Sequence, residues 1–458
     1  MKEGENLQVA PSQVLNDPKT INGWAMFDWA NSAYALVITV AIFPAYYSSL
    51  SDGPVELMGR SYNLASLFSY AISAAYLILA ALSPLLSGIA DASGRKLAFL
   101  RGFTIVGSLA CLSMWWFEGL DQLELGTLLF MVATIGFSGA LVFYNAFLPQ
   151  IASEDRYDAV SARGFSFGYV GSIILLIVCL AMILSPGLIG LYDGADVELI
   201  AEATRTATRI SFVLVGIWWL GFGLFSFTRL PKDEKSNVEK GWLRAGYREI
   251  AKTWKDAKSQ PALIRFLTAF FFYSAGVQTV LFLASTFAES ELAFDTTELI
   301  KVVLLLQVVA IGGAWLFAKV SSKFGNINAL LTMLVIWMTV CCLAYFVTEK
   351  TAFYAIAGLV GLVMGGIQSL SRSTYSKLIP EDTEDNTSYF SFYDLLEKLA
   401  IVIGTFSFGM INQITGGMRA SMLSLVIFFL IGGILLWTMK GKVKNEGGVI
   451  DLVEEREN

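Results

Sequence analysis

The sequence predicts an all-α integral membrane protein, with 12 transmembrane helices arranged as two six-helix pseudo-repeats and both termini cytoplasmic. Three observations predict it. Of the 458 residues 55% are apolar and only 15% charged, with a mean hydropathy of +0.61, whereas soluble domains carry about 25% charged residues. Twelve runs are long enough to cross a bilayer, which takes about 20 mainly apolar residues. Short motifs also recur between the two halves at nearly one offset.

The twelve runs lie near 24–47, 64–87, 98–117, 126–148, 165–185, 210–228, 263–287, 300–318, 329–347, 352–371, 390–411 and 420–439. An even number puts both ends of the chain on one side. With that side in the cytoplasm, 25 of the 32 Lys and Arg fall in cytoplasmic tails, loops and adjoining helix ends. The excess of basic residues sets orientation, so this placement is expected. The first twenty-odd residues are polar, with Glu3 and Glu5 where a basic region would open a signal peptide. Span one is therefore expected to act as its own uncleaved insertion signal. Aromatic pairs at outer helix ends, Tyr46-Tyr47 and Trp115-Trp116, suit interfacial anchoring.

This gives a cytoplasmic tail over 1–22, a six-helix bundle over 23–228, a cytoplasmic linker over 229–262, a second bundle over 263–439 and a tail over 440–458. The linker carries nine basic and five acidic residues from Arg229 to Lys258. Within it Leu243, Tyr247, Ile250 and Trp254 recur at spacings of 4, 3 and 4, one apolar helical face. An amphipathic helix on the inner membrane surface or against the bundle is expected, as a passive linker rather than a regulatory segment.

The halves echo each other. After span two stands "GIADASGRK" (Gly88–Lys96), and after span eight "AKVSSKFGN" (Ala318–Asn326), whose glycines Gly94 and Gly325 are 231 residues apart. "FSFGY" (Phe165–Tyr169) opens span five, and "FSFYD" (Phe390–Asp394) opens span eleven 225 residues later. Parallel repeats with a site between them near the midplane describe secondary transporters.

Several chemistries drop out. The chain has no histidine, which removes imidazole proton relays and the common zinc sites, and leaves carboxylates for any proton chemistry. Cys111, Cys179, Cys341 and Cys342 all lie in apolar runs, as small core side chains. No GxxxxGK[ST] loop exists, so ATP-driven transport has no support. There is no catalytic constellation, and no cofactor or metal is expected; the chain reads as a non-enzyme.

"GIADASGRK" resembles the loop 2–3 signature of the major facilitator superfamily, with Gly88, Asp91, Gly94, Arg95 and Lys96 at matching positions. The second copy is degenerate, and by the glycine offset Asp91 is met by Ser322. "FDWANSAY", "GGIQSLSRSTYSKLIP" (Gly365–Pro380) and "SFYDLLEK" (Ser391–Lys398) resemble one branch, the vacuole-effluxer-like or unknown major facilitator family, over roughly Asn22 to Lys440. One departure stands in "FFYSAGVQT" (Phe271–Thr279): an acid is expected directly before the glycine, and Ala275 stands there. The resemblance implies the major facilitator fold, alternating access, and amino acids or similar small metabolites as solutes.

Asp28 sits inside the first span, where an ionised carboxylate costs roughly 2.5–3.5 kcal/mol at the bilayer centre. Asn31 and Ser32 follow at i+3 and i+4 on the same face, so that face must meet a cavity or another polar helix. In span eleven Asp394, Glu397 and Lys398 take i, i+3 and i+4; Asp394 and Lys398 have the favoured order for an ion pair, leaving Glu397 less compensated. Glu397 or Asp28 either exchanges a proton or serves structure, Asp394 and Glu397 at a positive helix start and Asp28 paired with Lys398 or Arg372 as a gate. Gln368, Ser371, Arg372 and Tyr375 form a polar stripe in span ten, where Arg372 either meets a solute carboxylate or lies at a solvated helix end. Asn145, Gln278 and Gln307 are isolated amides suited to interhelical hydrogen bonds; Asn145 and Gln278 are on helices expected to line the cavity.

The candidates for solute binding or proton coupling are therefore Asp28, Asn31, Asn145, Gln278, Arg372 and Glu397. Those for a cytoplasmic gate are Asp91, Arg95, Asp394 and Lys398, whereas Lys96 reads as a topology charge. The expected function is secondary active transport of a small organic solute by alternating access, an amino acid or related metabolite, in the efflux direction and coupled to protons. The alternatives are an uncoupled facilitator, or a lipid-translocating or solute-sensing protein on the same fold. Expected partners are a small-molecule solute, the lipid bilayer and protons, with no nucleic acid; a monomer in a bacterial inner membrane is expected.

Overall fold

The computed structural model describes residues 15–440 except 52, 58–59, 63, 193, 195, 234–241, 381–382, 384 and 416. Most of the N-terminal tail, the tail beyond 440 and the first part of the linker lie outside the described residues.

Among the described residues twelve long helices, one of them in two pieces, build the bundle. In the first half they are α1 (Pro18–Ser48), α2 (Leu64–Ser93), α3 (Lys96–Ser113), α4 (Leu123–Asn145), α5 (Tyr157–Leu184) and α6 (Val197–Phe227). The linker helix is α7 (Trp242–Lys258). The second half has α8 (Pro261–Leu292), α9 (Thr296–Phe324), α10 (Asn326–Phe346), α11 (Lys350–Leu378) and α12 (Asn386–Thr415). It closes with α13 (Met418–Ser424) running into α14 (Val426–Trp437). A small antiparallel hairpin, β1 (Val55–Leu57) and β2 (Arg60–Tyr62), precedes α2.

Eleven of these helices are long and apolar enough to span a membrane, α13 and α14 together making one. The twelfth expected span, 390–411, falls in α12, which is 30 residues long. It is not in that set, and it carries Asp394, Glu397 and Lys398 in its first half. Leu77, Leu184, Phe346 and Phe406 are each 71–75% exposed on the outside of the bundle, a surface suited to hydrocarbon rather than water.

Local chemistry sets the helix starts. The Asp17 side chain accepts from the Thr20 backbone N–H at 2.9 Å with Pro18 in the first turn, an N-cap with its preferred proline. Asp295 and Glu298 form a capping box at α9. Within α1, Tyr34–Ile42 widens into π-helix just ahead of Pro44; proline cannot donate to the carbonyl one turn back.

The halves meet through matching helices. α5 packs on α9 and α11, and α12 packs on α2 and α4. Spans two, four and five correspond to spans eight, ten and eleven, so the interface has the twofold character that the repeated motifs predict. α7 lies on the face of the bundle where α1 begins, against α2 and, more lightly, α12. That face is called the linker face below.

The linker helix turns a different side inward than the apolar spacing suggests. Gly246, Thr253 and Ala257 are buried, while Tyr247 and Trp254 are 65% and 43% exposed. A Cβ at Gly88 would stand 2.4 Å from the Gly246 carbonyl oxygen, and one at Gly246 2.6 Å from Ile89. Two glycines thus let the backbones of α2 and α7 touch, and small residues win the inner face over large ones. The side chain of Leu243 lies outside the described residues.

Candidate functional site

A cavity of about 350 Å³ lies between the halves, lined from α1, α2, α4 and α5 on one side and α8, α9, α11 and α12 on the other. It is large enough for a small organic molecule. Asp28, Asn31, Asn145, Gln278, Arg372, Glu397 and Lys398 all line it, so seven of the ten residues singled out from sequence converge on one space.

Arg372 closes the end of the cavity nearest the linker face. It belongs to the second half, yet everything holding it comes from the first. Both terminal nitrogens lie 3.4 Å from Asp28 Oδ2. Nε donates to Ser161 Oγ at 2.9 Å, one Nη to the Ser161 carbonyl at 2.9 Å, and the other to Asn145 Oδ1 at 3.2 Å. The rings of Phe165, Trp24 and Tyr144 surround the guanidinium at 4.2, 4.6 and 5.5 Å. Tyr144 Oη also donates to Asp28 Oδ2 at 2.7 Å. Arg372 and Asp28 are 3% and 4% exposed, so each depends on the other's charge. This geometry is the Asp28–Arg372 pair weighed from sequence, and not a solvated helix end.

Gly164 makes the approach possible. A Cβ there would fall 2.5 Å from Asp28 Oδ2 and 3.0 Å from an Arg372 Nη. The "GFSFG" stretch therefore does more than bring helices together; it leaves room for the ion pair.

A second cluster lines the wall formed by α12. Lys398 Nζ lies 2.6 Å from Asp394 Oδ1, the ion pair expected from the i, i+4 spacing. It is 3.6 Å from Glu397 Oε2 and stands over the Tyr76 ring of α2 at 5.7 Å. Gln278 donates to Glu397 Oε1 at 3.0 Å. The Glu397 side chain keeps 26% exposure, against 6% for Asp394. Asn31, 1% exposed, has neither amide atom hydrogen-bonded among the described residues, and Gln307 Oε1 is likewise unpartnered. Ala275, at the position of the expected acid, is fully buried, and its carbonyl oxygen would lie 2.4 Å from a Cβ at Gly404 of α12, so α8 and α12 approach closely there.

Beyond Arg372 the linker face is closed by contacts between halves. Asp91, at the end of α2, accepts from the backbone N–H groups of Ser388 (2.6 Å) and Thr387 (3.3 Å) in the first turn of α12, where the helix dipole favours an anion. Asp158, at the start of α5, receives Ser321 Oγ at 2.8 Å, Asn326 Nδ2 at 2.8 Å and Lys377 Nζ at 3.0 Å. Lys377 also reaches Asn326 Oδ1 at 2.9 Å. Lys252 of α7 bridges Glu249 and Asp385 at 2.9 and 2.8 Å.

Sequence reading missed Asp158, Ser321, Asn326 and Lys377. The only signal was a polar residue set at the inner ends of spans five, eight, nine and ten. The gate candidate Arg95 and the topology charge Lys96 sit differently from each other. Arg95 is exposed, and its side chain makes no ion pair or hydrogen bond among the described residues, whereas Lys96 is buried over the Phe147 ring at 5.5 Å and directed at the Ala146 carbonyl.

Comparison with known proteins places this architecture. The structure resembles the crystal structure of the major facilitator superfamily (MFS) transporter FucP in the outward conformation, with a TM-score of 0.68 and 15% identity, covering 92% of this chain and 98% of FucP. That likeness shows the fold; together with the MFS-type relative described next, 34% identical over 91% of this chain, it makes the protein a multi-pass membrane protein of the MFS transporter class, and not an enzyme. An uncharacterized MFS-type transporter of Bacillus subtilis (strain 168), YxiO, is 34% identical over 423 residues, 91% of this chain and 94% of that protein. Autophagy-related protein 22 of Pichia angusta is 23% identical, covering 85% of this chain and 78% of the relative. The family described as "Vacuole effluxer Atg22 like" matches residues 16–446. The chain belongs to that family.

Proposed function

We propose that the protein is a proton-coupled secondary active transporter that exports a small organic solute, an amino acid or related metabolite, by rocking one six-helix half against the other. The linker face is cytoplasmic, both termini are inside, and a monomer works in a bacterial inner membrane. The distribution of Lys and Arg supports this orientation. The resemblance to FucP in its outward conformation, and the closure of the linker face, support an outward-facing state for the arrangement described here.

One observation carries the reading. The cavity that both halves line ends on an arginine that belongs to one half and is held wholly by the other. Opening the linker face must withdraw Arg372 from its socket, so closure and the state of the cavity are one event. The two carboxylates in the cavity divide the work. Asp28 is occupied by Arg372 and Tyr144, whereas Glu397 faces the open space with one weakly engaged oxygen. Glu397 is accordingly the coupling group.

The test is flux in proteoliposomes loaded with labelled amino acids and dipeptides, with and without an imposed pH gradient, beside Glu397→Gln and Asp28→Asn. Flux should rise with the gradient, and Glu397→Gln should remove that response. Flux that ignores the gradient in the parent would make the protein an uncoupled facilitator.

A further inference from the structure

We infer that Glu397 accepts one cation at a time, either the ammonium group of an organic amine or a proton, so that the carrier exchanges an amine for a proton without net charge movement. This rests on the transport reading above and narrows its solute, from amino acids and related metabolites, to amines without a free carboxylate.

The argument begins with charge. Five ionisable side chains lie in and around the cavity: Asp28, Arg372, Asp394, Glu397 and Lys398. Asp28 and Arg372 cancel at 3.4 Å, and Asp394 and Lys398 cancel at 2.6 Å. Glu397 is left over, with Lys398 at 3.6 Å already committed to Asp394. A buried carboxylate without its own counter-charge is costly, and a bound cation relieves it. The titratable and polar side chains facing Glu397 are Tyr393, Asp394 and Lys398 on α12, Tyr273 and Gln278 on α8, and Tyr76 on α2. None of the others supplies a second positive charge.

The remaining lining suits an amine. Phe137 and Tyr169 line the cavity beside Phe270 and Tyr393, which stack on each other at 4.1 Å, and aromatic rings attract ammonium groups. Asn31 offers a buried amide with both atoms unpartnered, a donor and an acceptor for the rest of the solute. A carboxylate has no such place. Arg372 is enclosed by Asp28, Ser161, Asn145 and three rings, so an acidic solute would meet only Glu397 in excess.

The exchange balances. With the cavity open to one side, a protonated amine pairs with the Glu397 carboxylate. After the halves rock, the amine leaves intact and Glu397 takes a proton from water on that side. On the return it releases that proton as the next amine arrives. No bond to the solute forms or breaks, and each cycle moves one positive charge each way.

The test uses the full-length purified protein and three solutes matched in shape: tyramine, 3-(4-hydroxyphenyl)propionate and 3-(4-hydroxyphenyl)propanol. Binding is read by the rise in Tm, and flux by labelled tyramine in proteoliposomes, with leak into protein-free vesicles subtracted. Tyramine should stabilise the protein, the acid should not, and Glu397→Gln should weaken tyramine binding roughly thirtyfold or more. Tyramine flux should follow the pH gradient and ignore a potassium–valinomycin potential. Equal stabilisation by the acid or the alcohol, or flux driven by the potential, overturns the inference; the solute panel on the parent protein decides even where the variant does not fold. Tyramine binding without any flux would keep the site and sink the transport reading. Proton-driven flux of amino acids with no binding of tyramine would do the reverse.

Discussion

Ser321 donates to Asp158 at 2.8 Å, and this contact is the mirror of another, in which Asp91 accepts from the backbone of Ser388 at 2.6 Å. Asp91 and Ser321 stand 230 positions apart, as do Asp158 and Ser388. The two contacts occupy equivalent places in the two repeats, with acid and serine exchanged. The C-terminal loop has lost its acid, and the start of α5 supplies one instead. Both carboxylates now belong to the first half, and the donors (two serines, Asn326 and Lys377) to the second.

The exchange predicts that the two latches act together in holding the linker face shut. Replacing Asp158 with Ala leaves Lys377 and Asn326 without their shared acceptor, a loss of about 1–3 kcal/mol. Ser321→Ala removes one neutral donor and should cost less. Spin labels at the exposed positions 95 and 323, on the linker-face ends of α3 and α9, report the opening. The longer-distance population should grow in the order Ser321→Ala, Asp91→Asn, Asp158→Ala. An unchanged distribution in all three would mean that Arg372 alone holds the closure.

The socket of Arg372 predicts strong non-additivity. Asp28→Asn alone strands a cation that is 3% exposed, at a cost of about 3–5 kcal/mol. Arg372→Gln alone strands the carboxylate. The double variant removes both charges and should unfold at a higher temperature than Asp28→Asn. Arg372→Lys keeps the charge but loses the fork that reaches Ser161 and Asn145 together, so it should lower Tm too. Simple addition of the two single effects would show that Asp28 and Arg372 do not act as a pair.

Glycine provides a test of geometry that leaves charge untouched. Gly164→Ala places a methyl group 2.5 Å from Asp28 Oδ2, whereas Gly102 has nothing within 4 Å of its missing Cβ. Gly164→Ala should lower Tm and open the linker face by the same spin-label readout. Gly102→Ala should do neither, and as an exposed helical site should be neutral or slightly stabilising.

What was legible in the sequence was what period and charge encode. Hydropathy found the spans, and the i, i+4 spacing found the Asp394–Lys398 pair at 2.6 Å. The cost of a carboxylate in hydrocarbon pointed to Asp28, and Arg372 was among its candidate partners. Contacts between helices far apart in sequence were hidden, because Asp158 and Lys377 are ordinary charges until the halves meet. The motif offset of 231 matched Asp91 to Ser322, which is exposed and bonded to its own helix. Only the contact geometry shows the partner to be Ser321. The inner face of α7 escaped for a related reason: period reads large apolar side chains, and close backbone approach at Gly246 needs small ones.

The Lys252 bridge tests the opposite limit, a latch that should matter little. It joins α7 to Asp385 just before α12, so it ties the linker to the moving half. Asp385 and Glu249 hold the Lys252 pKa above the ordinary lysine value. A lysine raised in this way is charged in both folded and unfolded chains at pH 7. Its contribution is complete below the normal lysine pKa and fades only as the pH rises through the folded-state value. The side chain is 57% exposed, so water and salt screen the bridge to roughly 0–1 kcal/mol. Lys252→Ala should therefore shift Tm slightly at low ionic strength and not measurably at high salt. Neutral pH changes should leave its small effect constant. A large, salt-resistant loss of stability or flux in that variant would make α7 an active control element and not the passive connector that its exposed charges describe.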